Sequence, residues 1–181
     1  GIGLFKVIFS IFSHFDLMKT FDITNGLLFT FMAELKRLYS TSPHYNFRHA
    51  ISVTQFAAYI VKTAAESEPS ITVSKSDILI LLTAALCHDI DHEIGLKSNT
   101  SSFQPLQILQ QLSQNNTKPS ASMSCLASIS IFSRDDCDIF HSLTKNGDGE
   151  IDGENAIDLF VNLVLSTGIN NVDELRELVE C

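Results

Sequence analysis

Two short stretches of the chain carry side chains that could hold a divalent metal ion. In the first, His88 and Asp89 stand at the end of an apolar run that begins near Asp77. A buried carboxylate needs a partner or a metal, because burying an unpaired charge costs several kcal/mol. A single His-Asp pair at a helix end is as typical of a satisfied polar helix terminus as of a metal site, so a further ligand is required.

The second stretch is SPHYNFRH, residues 42–49, which opens another helical pattern. From the end of this stretch onward, a histidine and four apolar residues follow one another at helical spacing: His49, Val53, Phe56, Ile60 and Ala64. This spacing predicts that the histidine points inward with the apolar stripe. If the two helices pack together, two imidazole nitrogens and one carboxylate oxygen converge, from His49, His88 and Asp89. Such a donor set suits zinc, manganese, iron or magnesium.

The elements that must position these residues are predicted to be helices, because few segments show sustained strict alternation of apolar and polar residues. A helix buried on all sides is expected to start at Ser76 or Asp77 and to end at His88 and Asp89. The helix that carries His49 is expected to run to about Ala65. A further helix is expected over residues 154–165.

The N-terminal part predicts a helix over residues 2–18 and a second helix that is capped by Thr24 or Asn25. The inward stripe of that second helix is formed by Leu28, Phe31, Leu35 and Leu38. Residues 97–124 are rich in Ser, Gln and Asn, which predicts exposed loop around a short helix over residues 106–112.

Composition limits the classes of function. The chain has 181 residues, enough for one domain with a sizeable core, and its formal net charge of -9 argues against a nucleic-acid-binding surface. Its four cysteines form no C-x-x-C pair, which favours buried thiols in a reducing compartment. The apolar run over residues 2–12 is too short to span a bilayer. We expect a cytoplasmic protein, with membrane association only through segments outside this chain.

The segment PHYNFRHA, followed by VTQF and then by DILILLTAALCHDIDHEIG, resembles the catalytic domain of cyclic nucleotide phosphodiesterases, a family within the HD superfamily of metal-dependent phosphohydrolases. The resemblance runs over residues 21–168 and is strongest over residues 42–99. It implies an all-α, multi-helix HD-type domain that is truncated, with residues 1–181 forming a single partial catalytic domain.

The resemblance implies hydrolysis of cyclic AMP or cyclic GMP to the 5′-monophosphate by a metal-activated hydroxide, in second-messenger signalling. The family uses two divalent metals, zinc together with magnesium or manganese. By resemblance His49, His88 and Asp89 are metal ligands, and Asp89 contacts both ions. His92, Asn46 and Arg48 match motif positions that support the ligands.

Several positions depart from the family pattern. The family reads Tyr-His-Asn where this chain has His44-Tyr45-Asn46, so Tyr45 stands at the general-acid position and His44 is its possible substitute. The residues before Cys125 lack the Glu-Asn-His-His segment of the family. Gly168 aligns with the last metal-ligating aspartate, and the helices that hold the base have no counterpart before Cys181. We therefore expect one retained metal and low activity.

Two alternatives remain open at this point. The chain could be a catalytically impaired regulatory or scaffold domain, or another HD-type phosphohydrolase that acts on nucleotides. Preference for cyclic AMP or cyclic GMP and the oligomeric state are not defined by the sequence. Residues 146–152 resemble part of a calcium loop, but Thr144 and Asn155 occupy positions that should be acidic, so a Gly-Asp turn without calcium is expected.

Overall fold

The computed structural model of the chain describes residues 2–39, 46–68, 72–90, 119–145 and 153–167. These residues form eight α-helices and the turns between them, and they contain no β-strand. The helices are α1 (Ile2–His14), α2 (Leu17–Thr20), α3 (Asn25–Leu38), α4 (Phe47–Ser67), α5 (Lys75–Cys87), α6 (Pro119–Phe132), α7 (His141–Lys145) and α8 (Gly153–Ser166). The predicted all-α architecture is therefore confirmed.

The N-terminal segment differs from the predicted single helix over residues 2–18. Asp16 adopts a left-handed backbone conformation, with φ of 58°, and separates α1 from α2. Aspartate tolerates this conformation better than most residues, and its carboxylate accepts a hydrogen bond from Lys75 Nζ at 2.9 Å. The break lets Leu17 turn inward and become fully buried.

Helix α3 agrees with the sequence prediction. The Thr24 hydroxyl accepts a hydrogen bond from the Leu27 backbone N–H, which makes Thr24 the N-cap. Leu28, Phe31 and Leu35 are fully buried, as predicted for the inward stripe. Helix α8 also lies within about one residue of its predicted bounds.

Helix α4 buries a different face from the predicted one. His49, Phe56 and Ile60 were expected to point inward, but the His49 side chain is 44% exposed and Phe56 and Ile60 are 64% and 49% exposed. The buried residues are instead Phe47, Ala50, Ile51, Thr54, Ala58 and Val61. Both stripes have helical spacing, and the second contains the small residues that let neighbouring helices approach closely. It packs this helix on α5 and α1.

Helix α5 is the centre of the fold and is buried on all sides, as its composition predicts. It contacts α2, α4, α6 and α8. It begins at Lys75, slightly earlier than expected, because the N-cap is Ser74, whose hydroxyl accepts from the Asp77 backbone N–H. The α-helix ends at Cys87, so His88 and Asp89 lie in the turn that follows.

The prediction of exposed loop for residues 97–124 is wrong at its C-terminal end, because residues 119–124 belong to α6. Ser122 and Ser124 are buried there. Their small side chains allow close packing, and hydroxyl groups in this helix are satisfied by backbone carbonyls: Ser128 donates to Ser124 O at 2.6 Å. Polar composition therefore does not imply exposure in this segment.

Three cysteines are buried and unpaired: Cys87, Cys125 and Cys137. Burial raises the pKa of the thiols of Cys87 and Cys125 to about 12. The prediction of buried thiols is confirmed for these residues, while Cys181 lies outside the described residues. Within the described ranges, no helix combines the length and the apolarity that crossing a membrane requires.

The predicted helix over residues 106–112 and the turn at residues 146–152 fall outside the described residues. The same applies to the C-terminal residues after 167.

Thr83 is fully buried in α5, and within the part of the chain that the structure describes its hydroxyl has no hydrogen-bond partner. An unpaired buried hydroxyl costs about 1–3 kcal/mol. We expect Thr83→Val to raise the free energy of unfolding in urea by about 1 kcal/mol. Thr54→Val is the matched control, because Thr54 is equally buried but donates to Ala50 O at 2.8 Å. A control variant that gains as much stability would contradict this explanation.

Candidate metal centre

The first turn of α4 is fixed by Asn46, the residue just before it. The Asn46 side-chain oxygen accepts hydrogen bonds from the backbone N–H groups of Arg48 at 3.0 Å and His49 at 3.1 Å. This N-cap satisfies donors that have no partner inside the helix. Asn46 thereby sets the direction in which His49 leaves the helix. The Arg48 side chain is exposed, and Arg48 takes part in this cap through its backbone.

The structure brings His49, His88 and Asp89 together where α4 begins and α5 ends. Asp89 Oδ2 lies 2.9 Å from His88 Nε2 and 3.6 Å from His49 Nε2. The centroids of the two imidazole rings are 5.5 Å apart. One ligand atom from each of the three residues lies within 4.8 Å of the other two. Asp89 is therefore the group that faces both histidines.

His88 is held in a defined orientation by its other ring nitrogen. His88 Nδ1 lies 2.9 Å from the backbone oxygen of Ala85. As donor in this hydrogen bond, Nδ1 carries the proton and leaves Nε2 directed at Asp89. Burial lowers the pKa of His88, but the hydrogen bond and the negative charge of Asp89, with the Ala85 carbonyl, outweigh burial, so that its pKa is raised.

These three residues fit a divalent cation. Ligating histidines usually donate their second ring N–H to a carbonyl or a carboxylate, as His88 does to Ala85. A cation would take the place of the proton between His88 Nε2 and Asp89 Oδ2, because each atom then offers a lone pair. Catalytic zinc sites use three protein ligands and one water, and the two nitrogens and one oxygen of this cluster would supply the three protein ligands.

A family model described as 3'5'-cyclic nucleotide phosphodiesterase matches residues 44–180, which is more than half of the chain. The chain belongs to this family. The family membership predicted from the PHYNFRHA and CHDIDH segments is thus confirmed.

Relatives within the phosphodiesterase family carry names that specify cyclic GMP. "High affinity cGMP-specific 3',5'-cyclic phosphodiesterase 9A" of Mus musculus is 29% identical over 164 residues, which are 91% of this chain and 29% of that protein. The Homo sapiens protein of the same name is 28% identical over 164 residues and is covered to 26%. The chain therefore spans less than a third of the length of these relatives.

Solved phosphodiesterase structures share the fold. The phosphodiesterase domain of the RhoPDE fusion protein from the choanoflagellate Salpingoeca rosetta superimposes with a TM-score of 0.70 at 19% identity. The match covers 93% of this chain and 49% of that domain. The structure of LmjPDEB1 in complex with IBMX gives a TM-score of 0.69 at 28% identity, with coverages of 90% and 46%.

Other candidate residues of the phosphodiesterase motif fall outside the described residues. These are His44, Tyr45, His92 and Gly168. Their roles remain predictions from the sequence.

Two residues next to the candidate metal centre were not predicted from the sequence. The Tyr39 hydroxyl donates to Leu86 O at 2.7 Å, and the Ser124 hydroxyl donates to Ile90 O at 2.8 Å. Burial raises the pKa of Tyr39 well above its usual range, and the nearby Cys87 and Asp89 raise it further by smaller amounts. The hydroxyl therefore stays protonated and can donate a hydrogen bond. A tyrosine at the end of an amphipathic helix gives a weak signal of such a role, and a serine in a polar run gives none.

Proposed function

We propose that the chain hydrolyses 3′,5′-cyclic nucleotides to 5′-monophosphates, with His49, His88 and Asp89 as the ligands of one divalent metal ion. The observation that carries this proposal is the convergence of their ligand atoms within 4.8 Å at the facing ends of α4 and α5. Family membership supports the reaction class. The names of the relatives make cyclic GMP the first substrate to test, with cyclic AMP beside it.

The described residues would serve this reaction by binding and orientation. A divalent ion held by these residues would make a bound water more acidic, so that water could serve as the nucleophile near neutral pH. Asp89 faces both histidines, Ala85 O fixes the tautomer of His88, and the Asn46 cap fixes the turn that carries His49.

The electrostatic setting also favours a metal. The net charge of -9 repels a phosphate ester at long range, and a divalent cation reverses the sign of the charge locally. A hydrolytic site for an anionic substrate in so acidic a chain therefore depends on its cation.

Proton donation to the leaving oxygen falls, by resemblance, to residue 45. A tyrosine there, with an ordinary pKa of about 10, protonates an alkoxide less effectively near neutral pH than a histidine. Gly168, which aligns with a ligating aspartate, offers no side-chain ligand. These two positions favour a second candidate function, a domain that binds metal but is catalytically impaired and acts as a regulatory or scaffold module.

Turnover assays with purified protein decide between these functions. We expect slow, metal-dependent hydrolysis of cyclic GMP or cyclic AMP, abolished by a chelator and by His88→Ala. His141→Ala is the matched control, because its Nδ1 also lies 2.9 Å from a carbonyl three residues earlier, that of Asp138, but it is outside the ligand cluster. The control variant should retain the activity of the parent.

The outcomes separate the alternatives. Turnover that is equal in His88→Ala and the parent would refute the proposed site. Metal binding without any turnover would support the impaired domain. Hydrolysis of linear nucleotides with no activity on cyclic ones would indicate another HD-type phosphohydrolase.

A further inference from the structure

The segment from Leu86 to Ile90, which includes the turn with His88 and Asp89, is hydrogen-bonded at both ends by side chains from other parts of the fold. The Tyr39 hydroxyl, at the end of α3, donates to Leu86 O at 2.7 Å. The Ser124 hydroxyl, in α6, donates to Ile90 O at 2.8 Å. The two acceptors stand two residues before His88 and one residue after Asp89, and both donors are buried.

This segment needs such support because it follows the end of a helix. The last carbonyls of an α-helix have no partner inside the helix. In the described hydrogen bonds of the turn itself, Ile90 N–H donates to Cys87 O at 3.3 Å, which is long. Donors from other parts of the fold add to the restraint that the hydrogen bond between His88 Nδ1 and Ala85 O already gives this turn. Ligand geometry must hold to within about 0.5 Å for tight binding.

Tyr39 also couples the turn to the other ligand-bearing segment. Its ring packs against Phe47, with the centroids 5.9 Å apart. Phe47 is the first residue of α4 and stands two residues before His49. A single buried side chain therefore touches the segment that carries His49 and the segment that carries His88 and Asp89.

Ser124 is itself held by its neighbours. Its backbone carbonyl accepts a hydrogen bond from the Ser128 hydroxyl at 2.6 Å. The Ser128 side chain also interacts with the thiol of Cys87, the residue before His88. The contact between α6 and the ligand-bearing turn is thus a small buried network and not one isolated hydrogen bond.

We infer that Tyr39 and Ser124 are positioning residues for the metal centre: together they fix the turn that carries His88 and Asp89 and set its distance from His49. This inference rests on the metal site of the proposed function. It assigns a role to Ser124 in a segment where the Glu-Asn-His-His residues typical of the family are absent.

The test measures metal binding without substrate. Parent, Tyr39→Phe and Ser124→Ala, each as the full chain and stripped with chelator, are titrated with cobalt(II) by calorimetry and by visible absorption. Removing a group that orients a metal ligand typically weakens metal binding about 10- to 100-fold. We expect a loss of about tenfold in affinity for each variant, with a change in the cobalt absorption spectrum that reports altered coordination.

Ser142→Ala is the matched control. Ser142 is a buried serine whose hydroxyl also donates to a distant backbone carbonyl, that of Phe21, away from the ligand turn. Its removal should destabilise the fold as much as Ser124→Ala does, but leave cobalt affinity and spectrum unchanged. Urea unfolding of the metal-free proteins verifies that the stabilities are matched.

Unchanged cobalt affinity in both Tyr39→Phe and Ser124→Ala would overturn the inference. An equal loss in Ser142→Ala, or no cobalt binding by the parent, would overturn it as well. Because no substrate is present, a parent that binds cobalt but hydrolyses no cyclic nucleotide would refute the proposed reaction and leave the positioning role standing.

Discussion

Asp89→Asn is expected to lower the affinity of the chain for divalent metal by more than about 100-fold and to abolish turnover. Asp89 Oδ2 is the atom that faces both imidazoles, at 2.9 Å from His88 Nε2 and 3.6 Å from His49 Nε2. The amide keeps the size of the side chain but removes the negative charge, so one of the ligands and the charge that balances the cation are lost. Calorimetric titration with zinc and manganese measures the effect.

Asp136→Asn is the control for the Asp89 variant, because it makes the same chemical change at an exposed aspartate. Asp136 pairs with Arg134 at 2.9 Å in the turn after α6. Ion pairs between exposed groups contribute little to stability, and we expect metal binding to be unaffected. If Asp89→Asn binds metal as tightly as the parent, the assignment of Asp89 as a ligand is wrong.

Stepwise repair of the departures from the family motif is expected to raise turnover. Gly168→Asp restores the carboxylate that by resemblance completes the ligand set, and it should raise metal occupancy. Adding the exchange His44→Tyr with Tyr45→His returns a histidine to the general-acid position. Because general acid catalysis contributes typically about 10²–10⁴-fold, the combined variant should gain in kcat by a factor within that range.

Comparing kcat with KM shows whether a repair acts on the chemical step or on substrate binding. Steady-state assays on the parent, each partial repair and the combined variant should show the increase in kcat and little change in KM. A parent that already turns over at about 1–10³ s⁻¹, as enzymes typically do, would show that Tyr45 and Gly168 are not defects. The His141→Ala variant of the repaired chain should behave like the repaired chain itself.

The burial of a helix that is apolar on all sides could be predicted from the sequence. Which face an amphipathic helix buries could not. Helix α5 is apolar on all sides, so any packing buries it, and its position follows from the residues alone. Helix α4 carries two stripes at helical spacing, and only the packing on α5 and α1 decides that Ala50, Thr54 and Ala58 face inward. In α6, serines are buried because their hydroxyls reach backbone carbonyls, which a polar composition does not reveal.

The candidate metal ligands and the two side chains that contact their turn also differ in how well the sequence predicts them. His49, His88 and Asp89 stand in two motifs whose residue types and order predict a metal site if the two helices pack together. Tyr39 and Ser124 act on backbone carbonyls 47 and 34 residues away in the sequence. Every residue offers a carbonyl, so nothing in the type of the acceptor marks the pair. Only the tertiary arrangement identifies these donors.

Because Cys87 and Cys125 are buried, their reaction with an external reagent can measure how often the packed helices around them open. A cysteine reacts as the thiolate, and burial raises the pKa of both thiols to about 12. Neither should react with an alkylating reagent while α5 and α6 remain packed. Cys87 immediately precedes His88, so its modification requires separation of the same helices that hold the ligand-bearing turn. The alkylation rate of these thiols therefore reports the frequency of that opening, and no cysteine has to be introduced by mutation.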